Sequence, residues 1–475
     1  MIFNCLQFII WCNSRTIFRA FSCKAIYSMK GLTKLSTGIF FAAAIVGCGP
    51  KKTSEADLSA RDTITNTPQK EVVLPAPHET ESTVKFSKVI GWPEGKTPQA
   101  PEGFTVSKFV SGIKSPRNIY VAENGDIFVA FANTESKGLK KKVTDEISGR
   151  DESQHTQQSL NEVHLFRDRD GDGTPEVHST FLTNLNQPFG MLILGGYFYV
   201  ANTDGIWRYP YTQGDMKAKG SGEKILSLPA GGYNNHWTRN LLASADGSKI
   251  YVAVGSASDH GEHGIDEELE RANILEINPD GTGKRIFAGG LRNPVGIDLH
   301  PKTNALWAVV NERDELGDDL VPDYLVQVKD GAFYGWPYAY FGNNPDPRIE
   351  EKDQRPDLVA TTQIPDLALE AHSASLGLVF VLESTLGTTW GEGALITQHG
   401  SWNRSSFSGY RILFVPFRDG KIAGPPRDFI TGFIANEEEG EVYGRPVAIA
   451  IANDGSLLLT DDASDTVWRI FRKNP

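Results

Sequence analysis

Short apolar stretches that follow a Gly- or Asp-containing turn recur along the last two-thirds of the chain. In the clearest copy, Ile127, Phe128 and Val129 follow the turn Asn124–Asp126. Short runs of β-branched and aromatic residues behind such a turn predict β-strands. The copies occupy residues 124–130, 195–201, 246–254, 303–309, 393–397 and 454–460.

Strand-turn-strand units of equal build, tens of residues apart, are typical of a β-propeller, in which each unit belongs to one blade. The six copies predict an all-β fold, a six-bladed β-propeller of four-stranded antiparallel blades. A propeller binds its ligand at one end of the central channel, on the loops that join strands and blades. We therefore expect the functional residues between the strands.

The N-terminal part of the chain reads as an export signal. A basic start at Met29–Lys34 precedes the apolar stretch Ile39–Val46, which ends at Gly47 and Cys48. This order predicts a secretory signal peptide, and the cysteine at its end indicates a bacterial lipoprotein in which Cys48 carries the lipid. The alternatives are a plain signal peptide or a membrane anchor, although the apolar run is short for a span.

Four segments are predicted from these features. Residues 1–28 form an upstream extension and residues 29–47 the signal peptide. Residues 48–88 are rich in Thr, Glu, Ser and Pro, which predicts a flexible polar tether. Residues 89–475 form the propeller domain. We expect an exported protein, a periplasmic or outer-membrane lipoprotein of a bacterium that contacts the membrane only through its lipid anchor.

The charge balance and the cysteines narrow the function. The chain has 47 basic and 59 acidic residues and a net charge of −12, which argues against a nucleic-acid partner. All four cysteines lie at or before Cys48. The predicted domain therefore has no disulfide, no thiolate metal site and no covalent haem motif, and any redox chemistry in it needs a bound cofactor.

Two polar loops carry candidate catalytic residues. His236 is followed by Trp237 and Arg239, which are the ingredients of a base held in place by its neighbours. The alternative is a histidine that only bonds a strand carbonyl. Arg292 and Asn293 lie between glycines, so that their planar donors could approach a flat ligand closely. The alternative is a blade-entry turn with an ordinary surface arginine.

Other loops offer further candidates. The segment Asn311–Asp319 is strongly acidic, which suits either a hard-cation site or a solvated loop. Trp336, in the turn Tyr334–Pro337, supplies a flat apolar wall or packs a corner. Arg404 and Arg445 are basic residues that each lie next to a predicted strand.

A separate acidic hairpin has calcium-loop spacing. Asp168, Asp170 and Asp172 alternate with other residues, and Glu176 follows. Carboxylates at such positions wrap oxygens around calcium, although Ser179 stands where an EF-hand has its last ligand. The pattern fits a structural calcium site and a tight acidic turn without metal equally well.

Taken together, these loops resemble those of the soluble quinoprotein sugar dehydrogenases, the glucose/sorbosone dehydrogenase family. The resemblance spans most of the predicted domain. The segments Asn311–Asp314 and His399–Arg404 look closer to the sorbosone dehydrogenase branch. The other segments that carry the resemblance are His236–Asn240, Arg292–Gly296 and Tyr334–Pro337.

The resemblance implies a propeller that binds pyrroloquinoline quinone (PQQ) and Ca²⁺ at the channel mouth. His236 would be the general base, and Arg292 would hold a quinone oxygen. The loop at Glu312, Arg313 and Asp314 matches the calcium segment of the family, partly through backbone carbonyls. The residues that would contact the cofactor are Arg239, Arg292, Asn293, Trp336, Arg404 and Arg445.

We therefore expect PQQ-dependent oxidation of an aldose sugar or a sorbosone-like aldehyde, with electrons passed to an external acceptor such as a cytochrome or a quinone. One alternative is a non-catalytic, carbohydrate-binding propeller lipoprotein, which the presence of His236 and Arg292 disfavours. The other is a calcium-dependent lactonase. A lactonase would bring calcium ligands from several blades, whereas this chain has one dense acidic loop.

Overall fold

The computed structural model describes residues 72–135, 149–153 and 159–473. The predicted upstream extension, the signal peptide and Cys48 lie outside the described residues. Strands β1 to β30 are the main regular structure of the described part, and none of its helices is long and apolar enough to cross a membrane. The helical turns are α1 (Pro356–Val359), α2 (Glu383–Leu386) and three 3-10 turns at Arg150–Ser153, Ile265–Glu268 and Glu351–Asp353.

Six antiparallel sheets with four main strands each follow one another along the chain, and we number them I to VI. Sheet I contains β3 (Pro116–Val121), β4 (Ile127–Phe131), β5 (Glu162–Arg167) and β6 (Val177–Leu182). Sheet II contains β7 (Met191–Leu194), β8 (Tyr197–Asn202), β9 (Gly205–Pro210) and β10 (Glu223–Ser227). Sheet III contains β11 (Arg239–Ala243), β12 (Ile250–Val254), β13 (Asn273–Ile277) and β14 (Arg285–Gly289).

The second half of the domain repeats this order. Sheet IV contains β15 (Pro294–Leu299), β16 (Leu306–Val310), β17 (Pro322–Gln327) and β20 (Leu367–Ala371). Sheet V contains β21 (Ser375–Val381), β22 (Gly393–Gln398), β23 (Arg411–Arg418), the short β24 (Lys421–Ile422) and β25 (Arg427–Ile430). Sheet VI contains β28 (Pro446–Ile451), β29 (Leu457–Asp461), β30 (Thr466–Arg472) and, from the start of the domain, β2 (Phe104–Ser111).

Sheet VI joins the two ends of the domain, because β2 pairs with β30 along its length. Phe104 lies opposite Arg472 and Ser111 opposite Thr466. Two smaller sheets complete the fold. The strands outside the six main sheets are β1 (Lys88–Val89), β18 (Ala339–Tyr340), β19 (Asn344–Pro345), β26 (Ile434–Asn436) and β27 (Glu441–Val442).

The six apolar copies noted in the sequence coincide with the second strands of the six sheets, β4, β8, β12, β16, β22 and β29. These strands are buried on both faces. In β16, Leu306, Ala308 and Val310 pack toward sheet III, while Trp307 and Val309 pack toward sheet V. Because successive side chains point to opposite faces of a strand, burial on both faces requires the continuous apolar run seen in each copy.

Every pair of successive sheets shares an apolar core, and sheet VI shares one with sheet I. Phe109 and Val467 of sheet VI belong to the same cluster as Phe166 of sheet I. The first strands of successive sheets are in contact, from β3 through β7, β11, β15 and β21 to β28, which contacts β3. The predicted all-β class is confirmed, and the arrangement fits a β-propeller.

The first strands approach one another very closely at the centre. A Cβ atom on Gly296 of β15 would lie 2.7 Å from Leu378 N of β21, and one on Gly377 would lie 2.7 Å from Val447 O of β28. Such distances are too short for any side chain. Glycine at these positions therefore lets the inner strands of sheets IV, V and VI meet.

Residues 78–89, which we call the strap, lie against the domain. His78 N donates to Leu316 O at 2.7 Å, Lys85 N donates to Trp402 O at 2.8 Å, and Lys88–Val89 pairs with β27. The sequence assigned residues 48–88 to a flexible tether. In the structure, the described end of that segment is anchored by hydrogen bonds, so the folded domain begins upstream of Val89.

Replacing Asp461 by Ala tests the closure at sheet VI. The buried Asp461 carboxylate accepts hydrogen bonds from Arg445 N at 2.8 Å, Trp92 Nε1 at 2.9 Å and Trp468 Nε1 at 3.2 Å. Leaving these buried donors unpaired should lower the free energy of unfolding by about 2–4 kcal/mol in chemical denaturation. The exposed Glu439→Ala serves as control, and equal stability of the two variants would contradict the role given to Asp461.

Candidate functional site

A cavity of about 420 Å³ opens where loops from several sheets meet. Its lining comes from residues at the start of first strands and from loops that follow second strands. These chain segments lie at the same end of each antiparallel pair, so every sheet can contribute to one mouth. The sequence-predicted residues that line the cavity are His236, Arg292, Asn293, Asp314 and Arg445.

His236 is held in the cavity wall through its Nδ1 atom. Nδ1 lies 2.8 Å from Ser256 Oγ and 3.1 Å from the Ser256 carbonyl oxygen. Ser256 Oγ donates its own proton to the Ser258 carbonyl at 2.6 Å, so both atoms that face Nδ1 are acceptors. Nδ1 therefore carries the ring proton, and Nε2 presents a lone pair. No described residue forms a hydrogen bond with Nε2.

The turn that orients His236 is fixed by the buried carboxylate of Glu268. This carboxylate accepts hydrogen bonds from Ala257 N at 2.7 Å, from Ser258 N at 2.9 Å and from the Ser258 hydroxyl. Three donors on one carboxylate leave the turn little freedom. The acceptor that His236 meets is therefore set in place before any ligand binds.

His236 is neutral at physiological pH. Burial lowers its pKa well below 6.5, and the positive charge of Arg292 lowers that pKa further. An unprotonated imidazole with a free Nε2 can accept a proton from a hydroxyl group.

The guanidinium of Arg292 is buried and held on several sides. Its Nη2 donates to the Asp259 carboxylate at 2.6 Å, and its Nε donates to the Asp259 carbonyl at 3.0 Å. Its Nη1 donates to Glu312 O at 2.7 Å. Burial alone would lower the pKa of Arg292, but the charges of Asp259 and Asp314 raise it above its usual range. The cation is therefore kept within the cavity wall.

Asp259 joins the loops that form the floor of the cavity. Its carboxylate accepts from Arg292 and from Asp314 N at 2.9 Å, and it pairs with Arg348 Nη1 at 3.1 Å. Its carbonyl also accepts from Trp336 Nε1 at 2.8 Å. Burial by itself would raise the pKa of Asp259, but the neighbouring cations hold that pKa far below its usual range. Asp259 thus stays ionised between two guanidinium groups.

Two further arginines and one amide of the cavity lining have side-chain atoms without a described hydrogen-bond partner. Arg117 pairs with Asp462 through Nη1, and its buried Nε has no partner among the described residues. Arg445 donates to the carbonyls of residues 399–400 at 3.0 and 2.8 Å, which leaves Nη1 without a described partner. The side chain of Asn293, 6 % exposed, makes no hydrogen bond to a described residue. Unmet donors of this kind suit an anionic ligand.

Three residues that the resemblance assigned to the cofactor lie behind the lining. Arg239 donates to the His236 carbonyl at 2.7 Å, and burial lowers its pKa to about 9. Arg404 forms an ion pair with Asp319 at 2.7 Å, and Trp336 Nε1 donates a hydrogen bond to the Asp259 carbonyl. Buried donors take the nearest acceptors, so these side chains position site loops and do not line the cavity.

The loop predicted to hold calcium faces guanidinium groups. The Glu312 carboxylate accepts from Arg313 Nε at 2.9 Å, its carbonyl accepts from Arg292, and the Asp314 carbonyl accepts from Arg348 Nη1 at 2.9 Å. Only Glu312 Oε1 is buried without a described partner on this loop. Calcium takes about six to eight oxygen ligands, and adjacent cations repel it. The residues at this loop therefore do not fit an active-site calcium.

Arg313, which the sequence placed in the calcium segment, has a structural role. Its fully buried guanidinium pairs with Asp346 at 3.0 Å and donates to the carbonyls of Pro337 at 3.1 Å and Ala339 at 2.8 Å. A cation cannot serve as a metal ligand through its side chain. The sequence could not show this arrangement, because Asp346 is brought to Arg313 only by the fold.

The acidic hairpin between β5 and β6 gathers its carboxylates as predicted. One ligand oxygen from each of Asp168, Asp170, Asp172 and Glu176 lies within 4.8 Å of the others. Within the described ranges, no second cluster of three or more such side chains has this geometry. The hairpin does not line the cavity, so a cation bound there would be separate from the chemistry.

Several residues of the site escaped the sequence analysis. Asp259, Ser256 and Glu268 lie in a loop that reads as ordinary polar sequence, and their roles depend on contacts made across sheets. Arg117 could have been predicted from the sequence, because the pair Arg117-Asn118 repeats the pair Arg292-Asn293 near the start of another first strand.

Comparison with known proteins identifies relatives across most of the domain. The model of a family described as TrAA12-like matches residues 98–330 and 341–473. An uncharacterized protein of Borreliella burgdorferi is 26% identical over 389 residues, which cover 79% of this chain and 91% of that protein. Aldose sugar dehydrogenase YliI of Escherichia coli is 31% identical over 165 residues, which cover 32% of this chain and 42% of that protein.

A solved structure shares the fold at low sequence identity. It is the holo form of the PQQ domain of pyranose dehydrogenase from Coprinopsis cinerea. The TM-score is 0.63 at 19% identity, and the match covers 82% of this chain and all of that one (100%). The likeness supports the propeller architecture.

Replacing Asp259 by Ala should destabilise the domain strongly. The change removes the 2.6 Å ion-pair partner of the buried Arg292, whereas the half-buried Arg348 keeps Asp346. Removing one partner of a buried ion pair costs about 3–5 kcal/mol. Chemical denaturation of the variant measures this loss. Asp266→Ala, at an exposed position on the same loop, is the control. A loss no greater than that of the control would refute the bridging role of Asp259.

Proposed function

Because the chain belongs to the TrAA12-like family, we propose that it is a PQQ-dependent dehydrogenase that oxidises an aldose sugar. The observation that carries the proposal is the unpartnered Nε2 of neutral His236 in the same cavity as the cationic Arg292. A base and a fixed cation at one site are what the oxidation of a hydroxyl group needs. The names of the relatives above support the sugar substrate and the cofactor.

The donors at the cavity fit PQQ. This cofactor is a flat tricarboxylate with quinone oxygens, so it requires several cationic or amide donors around one plane. Arg117 Nε and Arg445 Nη1 are donors without a described partner, the Asn293 amide makes no hydrogen bond to a described residue, and Arg292 adds a buried cation. We propose that these four residues hold the cofactor.

When bound, PQQ would accept the two electrons of the sugar C–H bond. His236 Nε2 would take the proton of the reacting hydroxyl group, and the Nδ1–H bond to Ser256 would stabilise the resulting imidazolium. Arg292, fixed by Asp259, would stabilise negative charge that develops beside it without having to reorganise. Arg239 would keep the His236 loop in register through its bond to the His236 carbonyl.

Calcium has no part in this proposal at the cavity, because arginines occupy the oxygens of the predicted calcium loop. We propose a structural calcium only at the hairpin of Asp168, Asp170, Asp172 and Glu176, where the carboxylates already converge. The six sheets are proposed to be the six blades of one propeller. The sorbosone-like aldehyde stays a prediction, and so does the external cytochrome or quinone that would take up the electrons.

Reconstitution of the purified domain tests the proposed function. PQQ is added with calcium or with a chelator, and reduction of an artificial dye is followed with a panel of aldoses and aldehydes. Dye reduction that requires PQQ and a sugar supports the proposal. Absence of both PQQ binding and dye reduction would reject it in favour of a non-catalytic propeller.

Replacing His236 by Ala should lower kcat by about 10²–10⁴-fold, because the base accepts the proton of the hydroxyl group in the transition state. PQQ binding should change less than about tenfold, since a base contributes mainly in the transition state. His263→Ala is the matched control, at an exposed histidine near the cavity. Turnover of His236→Ala that equals that of the control removes His236 from the mechanism.

The pH profile of the wild-type enzyme gives the same test without a mutation. His236 must be unprotonated to act, and its pKa lies well below 6.5. The acid limb of kcat/KM should therefore also lie well below pH 6.5. A histidine limb at or above that value would contradict the assignment.

We also propose that the protein is an exported lipoprotein, held at the membrane by lipid on Cys48. The support is the basic start, apolar run and Gly47-Cys48 junction of the sequence. Cys48→Ser should move the protein from the membrane fraction to the soluble fraction, whereas Cys23→Ser, in the upstream extension, should not. Membrane retention of Cys48→Ser would contradict the lipid anchor.

A further inference from the structure

The strap binds two loops that line the cavity. Thr80 Oγ1 accepts from Asp318 N at 2.8 Å, and Ser82 Oγ accepts from Gly317 N at 3.0 Å, just beyond the Asp314 end of the cavity floor. Lys85 N donates to Trp402 O on the second loop. The strap therefore lies across the ends of sheets IV and V at the cavity.

One strap side chain reaches the cavity itself. Phe86 lines it together with Trp402, and the two rings are stacked, with centroids 5.6 Å apart and planes inclined by 8°. Both side chains are half-buried, so part of the stacked pair remains open to the cavity. The Lys85–Trp402 backbone bond fixes the two rings relative to each other. This flat apolar pair lies in the same lining as His236.

Polar groups surround this aromatic surface. Glu315 lines the cavity, and its carboxylate makes no hydrogen bond to a described residue, while its backbone is held by Asn403 Oδ1 at 2.9 Å. Glu262 and His260 also line it. A flat apolar face beside hydrogen-bond acceptors matches a pyranose ring, which has apolar C–H faces and hydroxyl groups around its edge.

We propose that Phe86 and Trp402 form the wall against which the sugar ring binds, so that the strap supplies a substrate-specificity residue. This inference rests on the proposed function for the identity of the substrate. Glu315 accepts a hydrogen bond from a ring hydroxyl.

Steady-state kinetics of Phe86→Ala, Phe86→Tyr and Val84→Ala in the full chain test the proposal. Val84 is an exposed strap residue, 58% accessible, that does not line the cavity. Phe86→Ala should raise KM for the sugar roughly tenfold, the ratio expected from loss of one good aromatic contact. Its kcat and PQQ affinity should stay within about twofold of wild type. Phe86→Tyr should restore KM, and Val84→Ala should leave it unchanged.

Direct sugar binding separates this inference from the proposed function. Saturation-transfer NMR with D-glucose and with the best assay substrate, on protein without PQQ, should show weaker binding for Phe86→Ala than for wild type. That result would support the sugar-binding role of Phe86 even if PQQ does not bind and the dehydrogenase proposal is wrong. Equal sugar affinity for both proteins, or no sugar binding by wild type, would overturn it. So would a parallel loss of thermal stability and PQQ affinity that Phe86→Tyr does not rescue, because that pattern indicates a merely structural role.

Discussion

The ion pairs of Asp259 are the interaction on which the site depends. One carboxylate neutralises Arg292 and Arg348, and it also holds the backbone of Asp314. Buried charge is tolerated only when it is paired and hydrogen-bonded, so these loops cannot move independently. The consequence for function is a cation fixed in the cavity wall next to a histidine whose own partner, Ser256, is equally fixed.

The same charge arrangement decides which ions suit the cavity. Arginine side chains donate to the carbonyl oxygens of the predicted calcium loop, while Arg117 and Arg445 keep donors without a described partner. The arginine side of the lining therefore suits the anionic cofactor that we propose. A cation site, if the hairpin at Asp168 is one, is kept apart in the β5–β6 connection. Separating the two kinds of site avoids competition between a metal and the guanidinium groups.

Arginines at equivalent places in the repeat have different roles. Arg117, Arg239, Arg292 and Arg445 all stand at or just before the start of a first strand. Arg239 nevertheless donates to the carbonyl of His236, whereas the others reach the cavity. The difference comes from the loop before β11, whose oxygens accept hydrogen bonds from both terminal nitrogens, Nη1 and Nη2, of Arg239. The position in the repeat brings an arginine to the mouth of the cavity. The hydrogen-bond acceptors of the neighbouring loop then determine whether its side chain faces the cavity.

The sequence by itself determined the strand class, the six repeated units and two residues, His236 and Arg292, that the fold brings into one cavity. Burial on both faces forces a continuous apolar run in every second strand, and such a run is visible without coordinates. Only the tertiary structure decided that Arg313 pairs with Asp346, that Asp259 bridges two arginines and that the strap brings Phe86 to Trp402. These contacts join residues far apart in the chain, and their energies depend on desolvation and on the acceptors supplied by other sheets, which no local pattern records.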